Sequence, residues 1–288
     1  MRRLSLLLLA LAIAGCGGND SSAPGTGGGG TTGAETVTAP TTGGETTAPP
    51  SLVEVNAYFL RGEKLGVASR EAEGLAVARS AMEGLLEGPT AAERAAGLST
   101  EIPEGTELLD VANANGTVTV DLTGAFDDGG GSASMQARVA QVVATLTQFP
   151  GFERVAFRID GQPVQAIGGE GVVVDPPIGR DAIEAQTPAI LVESPAVLQS
   201  VASPLRVSGT ANTFEATFQV KVTAADGSEL YRNFVTATSG SGVRGTFDET
   251  FELAEGAGDG PVTLTVWEDN ADNGQPVNVV EIPLRLAR

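Results

Sequence analysis

Apolar and polar residues alternate from Leu52 onward: Val53, Val55, Ala57 and Phe59 are separated by Glu54, Asn56 and Tyr58, the two-residue period of a strand. The period then lengthens. Leu75, Ala78, Met82 and Leu85 recur at steps of three and four, with Leu86 widening the stripe, which predicts an amphipathic helix. Gly88-Pro89 ends it, with Gly as a left-handed cap and Pro unable to continue. Thr90-Ala91-Ala92-Glu93 has the form of a capping box opening a short helix through Ala96. Strands are predicted at Glu107–Ala112 and Thr117–Leu122, joined by Asn113-Ala114-Asn115-Gly116, whose Asn-Gly is a hairpin signal. Asp127-Asp128-Gly129-Gly130-Gly131-Ser132 reads as a flexible loop. A second amphipathic helix follows, carrying Met135, Val139, Val142, Val143 and Leu146. Val155, Phe157 and Ile159 mark another strand, and Asp160-Gly161 turns into Pro163–Ile167. Helices and strands are interspersed and the hairpins argue for antiparallel pairing, so this block is α+β.

From Pro176-Pro177 to Pro188 the pattern loosens into a linker, after which no helical period returns. Short strands are predicted instead at Ile190–Val192, Leu205–Gly209, Ala216–Thr223, Leu230–Thr238, Arg244–Leu253, Val262–Glu268 and Val277–Leu286. Asp226-Gly227 falls at a hairpin position, and the single Trp267 lies in the sixth strand as a packing residue. This spacing over about 100 residues predicts an immunoglobulin-like sandwich.

The amino terminus has a different pattern. After Arg2 and Arg3, the run from Leu4 to Ala14 is apolar except for Ser5. That is about half the length a membrane span needs and suits the apolar region of a signal peptide. Ile13-Ala14-Gly15-Cys16 reads as a lipobox, with cleavage between Gly15 and Cys16 and acylation of Cys16, palmitate included. More than one acyl chain makes such an anchor stable. Residues 17 to about 50 are Gly, Thr, Ser, Ala and Pro with a few acids, which gives no apolar face to bury and predicts a disordered tether. Its typical reach is on the order of 30 Å. The expected organisation is a signal peptide over 1–15, lipidated Cys16 and tether over 16–50, an α+β domain over 51–180, a linker over 181–187 and the sandwich over 188–288.

Composition narrows the chemistry. The formal charge is -19, and loss of Arg2 and Arg3 deepens it. Nucleic acid and electrostatic attachment to anionic lipid both want clustered cations and are excluded as partners. The chain has no histidine, which removes Ser-His-Asp and Cys-His catalysis, histidine bases and imidazole-ligated metals. Its single cysteine is spent on the anchor, so internal disulfides, thiolate nucleophiles and Cys-ligated metals go too.

The block from about 52 to 180 resembles the GerMN family of sporulation and spore germination domains. The residues that carry this are Leu85-Leu86-Glu87-Gly88-Pro89-Thr90, Glu93, Gly97-Leu98-Ser99-Thr100-Glu101-Ile102-Pro103, Gly105-Thr106, Val118-Thr119-Val120-Asp121-Leu122, Ala140-Gln141-Val142-Val143 and Thr145-Leu146-Thr147. The block from about 188 to 287 is similar to the immunoglobulin-like domain that accompanies GerMN, through Ser194-Pro195, Val207-Ser208-Gly209-Thr210-Ala211, Phe218-Gln219-Val220 and Val266-Trp267-Glu268. The resemblance implies a non-catalytic extracytoplasmic lipoprotein of the cell membrane that binds other proteins. It brings no catalytic residues.

Four local patterns invite chemistry. Glu101 and Glu104 could serve as an acid and base pair, but they flank Pro103 in a turn sequence and read as solvated acids. Glu268-Asp269-Asn270-Ala271-Asp272-Asn273-Gly274 offers oxygen ligands for calcium, yet has Asn273 where a calcium loop needs Gly and no bidentate Glu at its end; a solvated hairpin loop is expected. Gly88-Pro89-Thr90 with Glu93 is explained by helix punctuation. Gly168-Gly169-Glu170-Gly171 has the glycine of a phosphate loop without its Lys or helix, and reads as a turn. Catalytic, cofactor and metal sites are therefore expected to be absent, and the chain is expected not to be an enzyme. The expected function is a membrane-anchored interaction or scaffold protein of the cell envelope, serving sporulation, germination or envelope-signalling complexes, with envelope protein partners expected and a homo-oligomer open. The alternative is a wall-glycan receptor, for which only Trp267, Tyr58 and Tyr231 offer stacking rings beyond the phenylalanines.

Overall fold

The structure, a computed structural model, describes residues 52–74, 76–168, 171–254 and 258–287. Gly15, Cys16, the expected signal peptide, the tether, Leu75, Gly169 and Glu170 lie outside the described residues. β1 (Leu52–Arg61) and β2 (Lys64–Glu73) form an antiparallel hairpin with Arg61 opposite Lys64. Gly62 takes a φ of +63 in the two-residue turn, where a side chain would be strained. Helix α1 (Val77–Leu86) buries Met82 and Leu85 and ends at Gly88, φ +79. Helix α2 (Ala91–Ala95) carries the complete Thr90/Glu93 capping box. β3 (Leu98–Ser99) adds to β1, giving the order β2-β1-β3.

β4 (Leu108–Ala114) and β5 (Thr117–Leu122) pair antiparallel around Asn115-Gly116, both at positive φ. Helix α3 (Ser132–Leu146) leads to β6 (Arg154–Ile159), which lies parallel to β5. β7 (Gln162–Pro163) completes the second sheet, while β8 (Ala166–Ile167) pairs with β9 (Val172–Val173), and the Gly171 amide donates to the Gly168 carbonyl at 3.0 Å. The fold class is α+β as expected, but the expectation of antiparallel pairing fails at β5 and β6. A crossover helix between two strands permits a parallel pair, which no short turn can make.

The second half holds β10 (Ile190–Ser194), β11 (Ser200–Val201), β12 (Leu205–Ala211), β13 (Thr217–Ala224), β14 (Glu229–Thr236), β15 (Gly245–Phe251), β16 (Gly260–Asp269) and β17 (Pro276–Leu286). They form two sheets, β10-β12-β15 and β11-β17-β16-β13-β14. Phe218, Val220 and Val222 alternate inward along β13, and the Phe218 and Phe247 rings meet edge-on across the sandwich at 4.9 Å.

Four local features depart from the sequence reading. β2 was not predicted, because Gly66, Ala68, Ser69, Arg70 and Ala72 blur its alternation. Helix α3 is buried on nearly every side, not along one stripe, since β1, α1 and a 3-10 helix at Arg180–Gln186 enclose it. Two of its buried polar residues reach the backbone of β1. Gln141 donates to the Tyr58 carbonyl at 3.2 Å, and Thr145 accepts from the Tyr58 amide at 3.1 Å. The loop after Phe126 is tied down by Arg138, whose guanidinium takes the carbonyls of Phe126, Asp128 and Gly129 at 2.8–3.0 Å. Residues 181–187, expected as a linker, form most of the 3-10 helix, with Ile183 buried.

Candidate interaction site at the junction of the two domains

The described residues pack as one compact unit, and the junction between the α+β half and the sandwich explains why. Tyr58 points from β1, with its ring fully buried. Its hydroxyl donates to Glu193 of β10 at 2.5 Å, and the same carboxylate oxygen accepts from Arg180 at 2.6 Å. Arg180, at the start of the 3-10 helix, also donates to the Tyr58 hydroxyl at 3.1 Å and lies 5.2 Å from its ring centroid. Burial pushes the Tyr58 hydroxyl well above the ordinary tyrosine range, with Arg180 opposing and Glu193 adding to the rise. Burial alone would disfavour the Arg180 cation, but Tyr58 and Glu193 hold it above its ordinary value. The three groups form one charge-assisted network spanning both halves.

Further bonds cross the junction. Asn56 donates to the Glu193 carbonyl at 3.1 Å, Val197 to the Val67 carbonyl at 3.0 Å, and Gln199 to Glu54 at 3.0 Å. Glu184 of the 3-10 helix is held by Arg244 at 2.8 and 3.0 Å and by Asn212 at 2.8 Å. These hydrogen bonds, Arg244 first, hold the Glu184 carboxyl below its ordinary range. Beside this network a cleft of about 430 Å³ opens between the halves, walled by β2, β10 and β17.

The residues singled out in the sequence fall elsewhere. Glu101 is exposed and accepts from Ser134 at 2.6 Å, and Glu104 is exposed near it in the turn; neither lines the junction cleft. At the end of β16, Glu268 accepts from the Phe214 amide and from Asn278, and Asp269 from Gln219 and Trp267, each at 2.7–2.9 Å. Their oxygens serve as internal acceptors, and among the described residues no group of three or more His, Cys, Asp or Glu is placed to hold a metal ion. Glu93 pairs with Arg70 at 2.6 Å in addition to capping α2. Burial opposes its ionisation, but Arg70 and Thr90 outweigh this and hold it low.

None of the three rings considered for glycan stacking is free. Tyr58 is buried in the network, Tyr231 stacks on Phe251 at 3.7 Å, and Trp267 is 6% exposed beneath Arg232 and Lys221. The junction itself escaped the sequence reading. Its only local signal is a lone Arg180 in a polar stretch, and its partners lie 122 residues before it and 13 after.

Comparison with known proteins bears on both halves. Residues 56–165 match the family model described as sporulation and spore germination. Residues 189–275 match that of the immunoglobulin-like domain of bacterial spore germination. Among solved structures, the first GerMN domain of the sporulation protein GerM from Bacillus subtilis is similar at 23% identity, over 45% of this chain and 98% of that one, with a TM-score of 0.38. The tandem GerMN domains of the same protein are similar at 16% identity, over 70% of this chain and 62% of that one, with a TM-score of 0.39. No curated protein matches the chain.

Proposed function

We propose, from the premise of a GerMN-like domain joined to an immunoglobulin-like domain, both related to those of sporulation and germination proteins, that this is a non-catalytic scaffold lipoprotein. Cys16 carries the lipid, cleavage falls after Gly15, and residues 16–50 tether the folded part at the extracytoplasmic face of the membrane. The domains, 51–180 and 188–288 with 181–187 between them, meet their envelope partners as one body.

The observation that carries this reading is the junction. Domains joined in one chain move relative to each other by default. Here Tyr58, Arg180 and Glu193 bind the halves through a part-buried charge-assisted network, which supports a fixed relative placement of the two halves. That rigidity is what a scaffold uses. No observation favours the wall-glycan alternative.

The test has two parts. Crosslinking in intact cells followed by capture of the wild-type protein is expected to recover a reproducible envelope protein, and recovery of none across growth states would overturn the scaffold reading. Cys16→Ser is expected to move the protein out of the membrane fraction; a variant that stays there would overturn the anchor.

A further inference from the structure

We infer that the cleft between the two halves binds a small amphipathic anion, an unbranched aliphatic chain ending in one carboxylate. The cleft encloses about 430 Å³, within the range of small-molecule sites, which favour domain interfaces. Its walls are aliphatic: Leu65 and Val67 from β2, Ile190 and Val192 from β10, Val280 and Ile282 from β17. No aromatic side chain lines it, so nothing there stacks on a planar ring or a sugar. Between β2 and β10 it also lacks room for a polypeptide strand. β2 and β10 approach within 8 Å, Cα to Cα, whereas an inserted strand would need about 9–10 Å.

The charge at its mouth selects the head group. The chain has 36 acidic residues against 17 basic ones, yet Arg61 and Lys64, one of its two lysines, sit together at this opening. Lys64 donates to the Ala185 carbonyl at 2.5 Å and Arg61 to the Glu281 carbonyl. A carbonyl satisfies a donor without cancelling the cation's charge. Among the described residues neither cation forms an ion pair with a carboxylate. The acids near them are Glu63, exposed in the turn between them, Glu281, which acts on Arg61 through space, and Glu184, already held by Arg244. Arg61 and Lys64 line the opening while Glu63 does not, so the two cations suit a monoanion, and the apolar walls suit its tail. This site is independent of the anchor and of any protein partner.

Sodium octanoate, kept below its micellar concentration, is the probe. It is titrated calorimetrically into the full chain bearing Cys16→Ser, so that no acyl chain of its own competes. Saturable one-to-one binding is expected, with octylammonium at least ten-fold weaker. Lys64→Gln and Arg61→Gln are each expected to weaken octanoate about five-fold, the scale of an exposed charge pair. Ile282→Phe, which fills the cleft, is expected to abolish binding, and Lys221→Gln, over Trp267 in the other sheet face, to leave it unchanged. Absence of saturable binding, equal affinity for octylammonium, or equal losses with Lys221→Gln and Lys64→Gln would each overturn the inference. Lys64→Gln changes an exposed side chain, so it decides the matter even if Ile282→Phe fails to fold.

Discussion

Replacing Glu193 by Gln keeps the shape of the junction and removes its charge. One oxygen of Glu193 accepts from Tyr58 at 2.5 Å and from Arg180 at 2.6 Å. A hydrogen bond to a charged group contributes about 1.5–3 kcal/mol and a neutral one about 0.5–1.5, so the two bonds together lose roughly 2 kcal/mol. Arg180, with its side chain 30% exposed, keeps partial solvation, which holds the cost below the 3–5 kcal/mol of a fully buried broken pair. At about 2–4 °C per kcal/mol for a chain of this size, the melting temperature should fall by about 4–8 °C. Tyr58→Phe should cost about 1 kcal/mol, because the Arg180–Glu193 pair survives it. The double variant should cost less than the sum of the two, since both bonds end on one oxygen. Urea unfolding followed by Trp267 fluorescence and by far-UV circular dichroism reads this out. Trp267 lies in the sandwich, so its transition should move with Tyr58→Phe in the other half. If the Trp267 midpoint stays put while the far-UV signal shifts, the junction does not couple the domains and the reasoning is wrong.

Gly209→Ala should destabilise the protein by about 2 kcal/mol, because a Cβ there would press on the Leu191 carbonyl oxygen and, at 3.0 Å, on the Glu193 amide nitrogen. A midpoint within about 0.5 kcal/mol of wild type would show that β10 yields freely. Thr90→Ala removes one arm of the capping box and should cost about 1 kcal/mol. Glu93→Ala should cost more, since it also strands Arg70, whose side chain is 15% exposed; equal losses would refute the role of that pair. The raised Tyr58 hydroxyl makes stability fall with alkali. Below the unfolded tyrosine pKa of about 10 both states hold the proton; above it only the unfolded state releases it, so unfolding is favoured progressively. Tyr58→Phe should flatten the stability profile above about pH 10, and an unchanged slope would count against burial as the cause. On the acid side, Glu184 is held low by Arg244, so its contribution is present above about pH 4.3 and is lost as pH falls through its folded value. Glu184→Gln should lessen that acid sensitivity in the same unfolding series.

Features written in neighbouring residues were legible. Asn115-Gly116 gave its hairpin because positive φ at both positions favours those two residues. Thr90 and Glu93 closed the box that their spacing announced. The strands of the sandwich appeared at the expected intervals because one face of each is buried. β2 was lost where glycine, alanine and charged residues dilute the alternation. Its hydrophobic partners come from β1 and from the sandwich, so its own segment carries little of the signal. The all-round burial of α3 was equally hidden, since Ala137, Ala140 and Ala144 look neutral until neighbours close over them.

By itself the sequence determined the punctuation of the elements, the α+β block followed by a sandwich, and the chemistry ruled out by the absence of histidine and by a single cysteine. Those follow from local periodicity, turn stereochemistry and inventory, which need no knowledge of distant contacts. Only the tertiary structure decided that β5 and β6 run parallel, that the three candidate sugar rings are covered, and that Arg61 and Lys64 share the mouth of a cleft. It alone brought Tyr58, Arg180 and Glu193 together, with Tyr58 and Glu193 135 residues apart. A hydrogen bond across that separation leaves no period in the chain, because its energy depends on burial and distance that exist only once the two halves have packed.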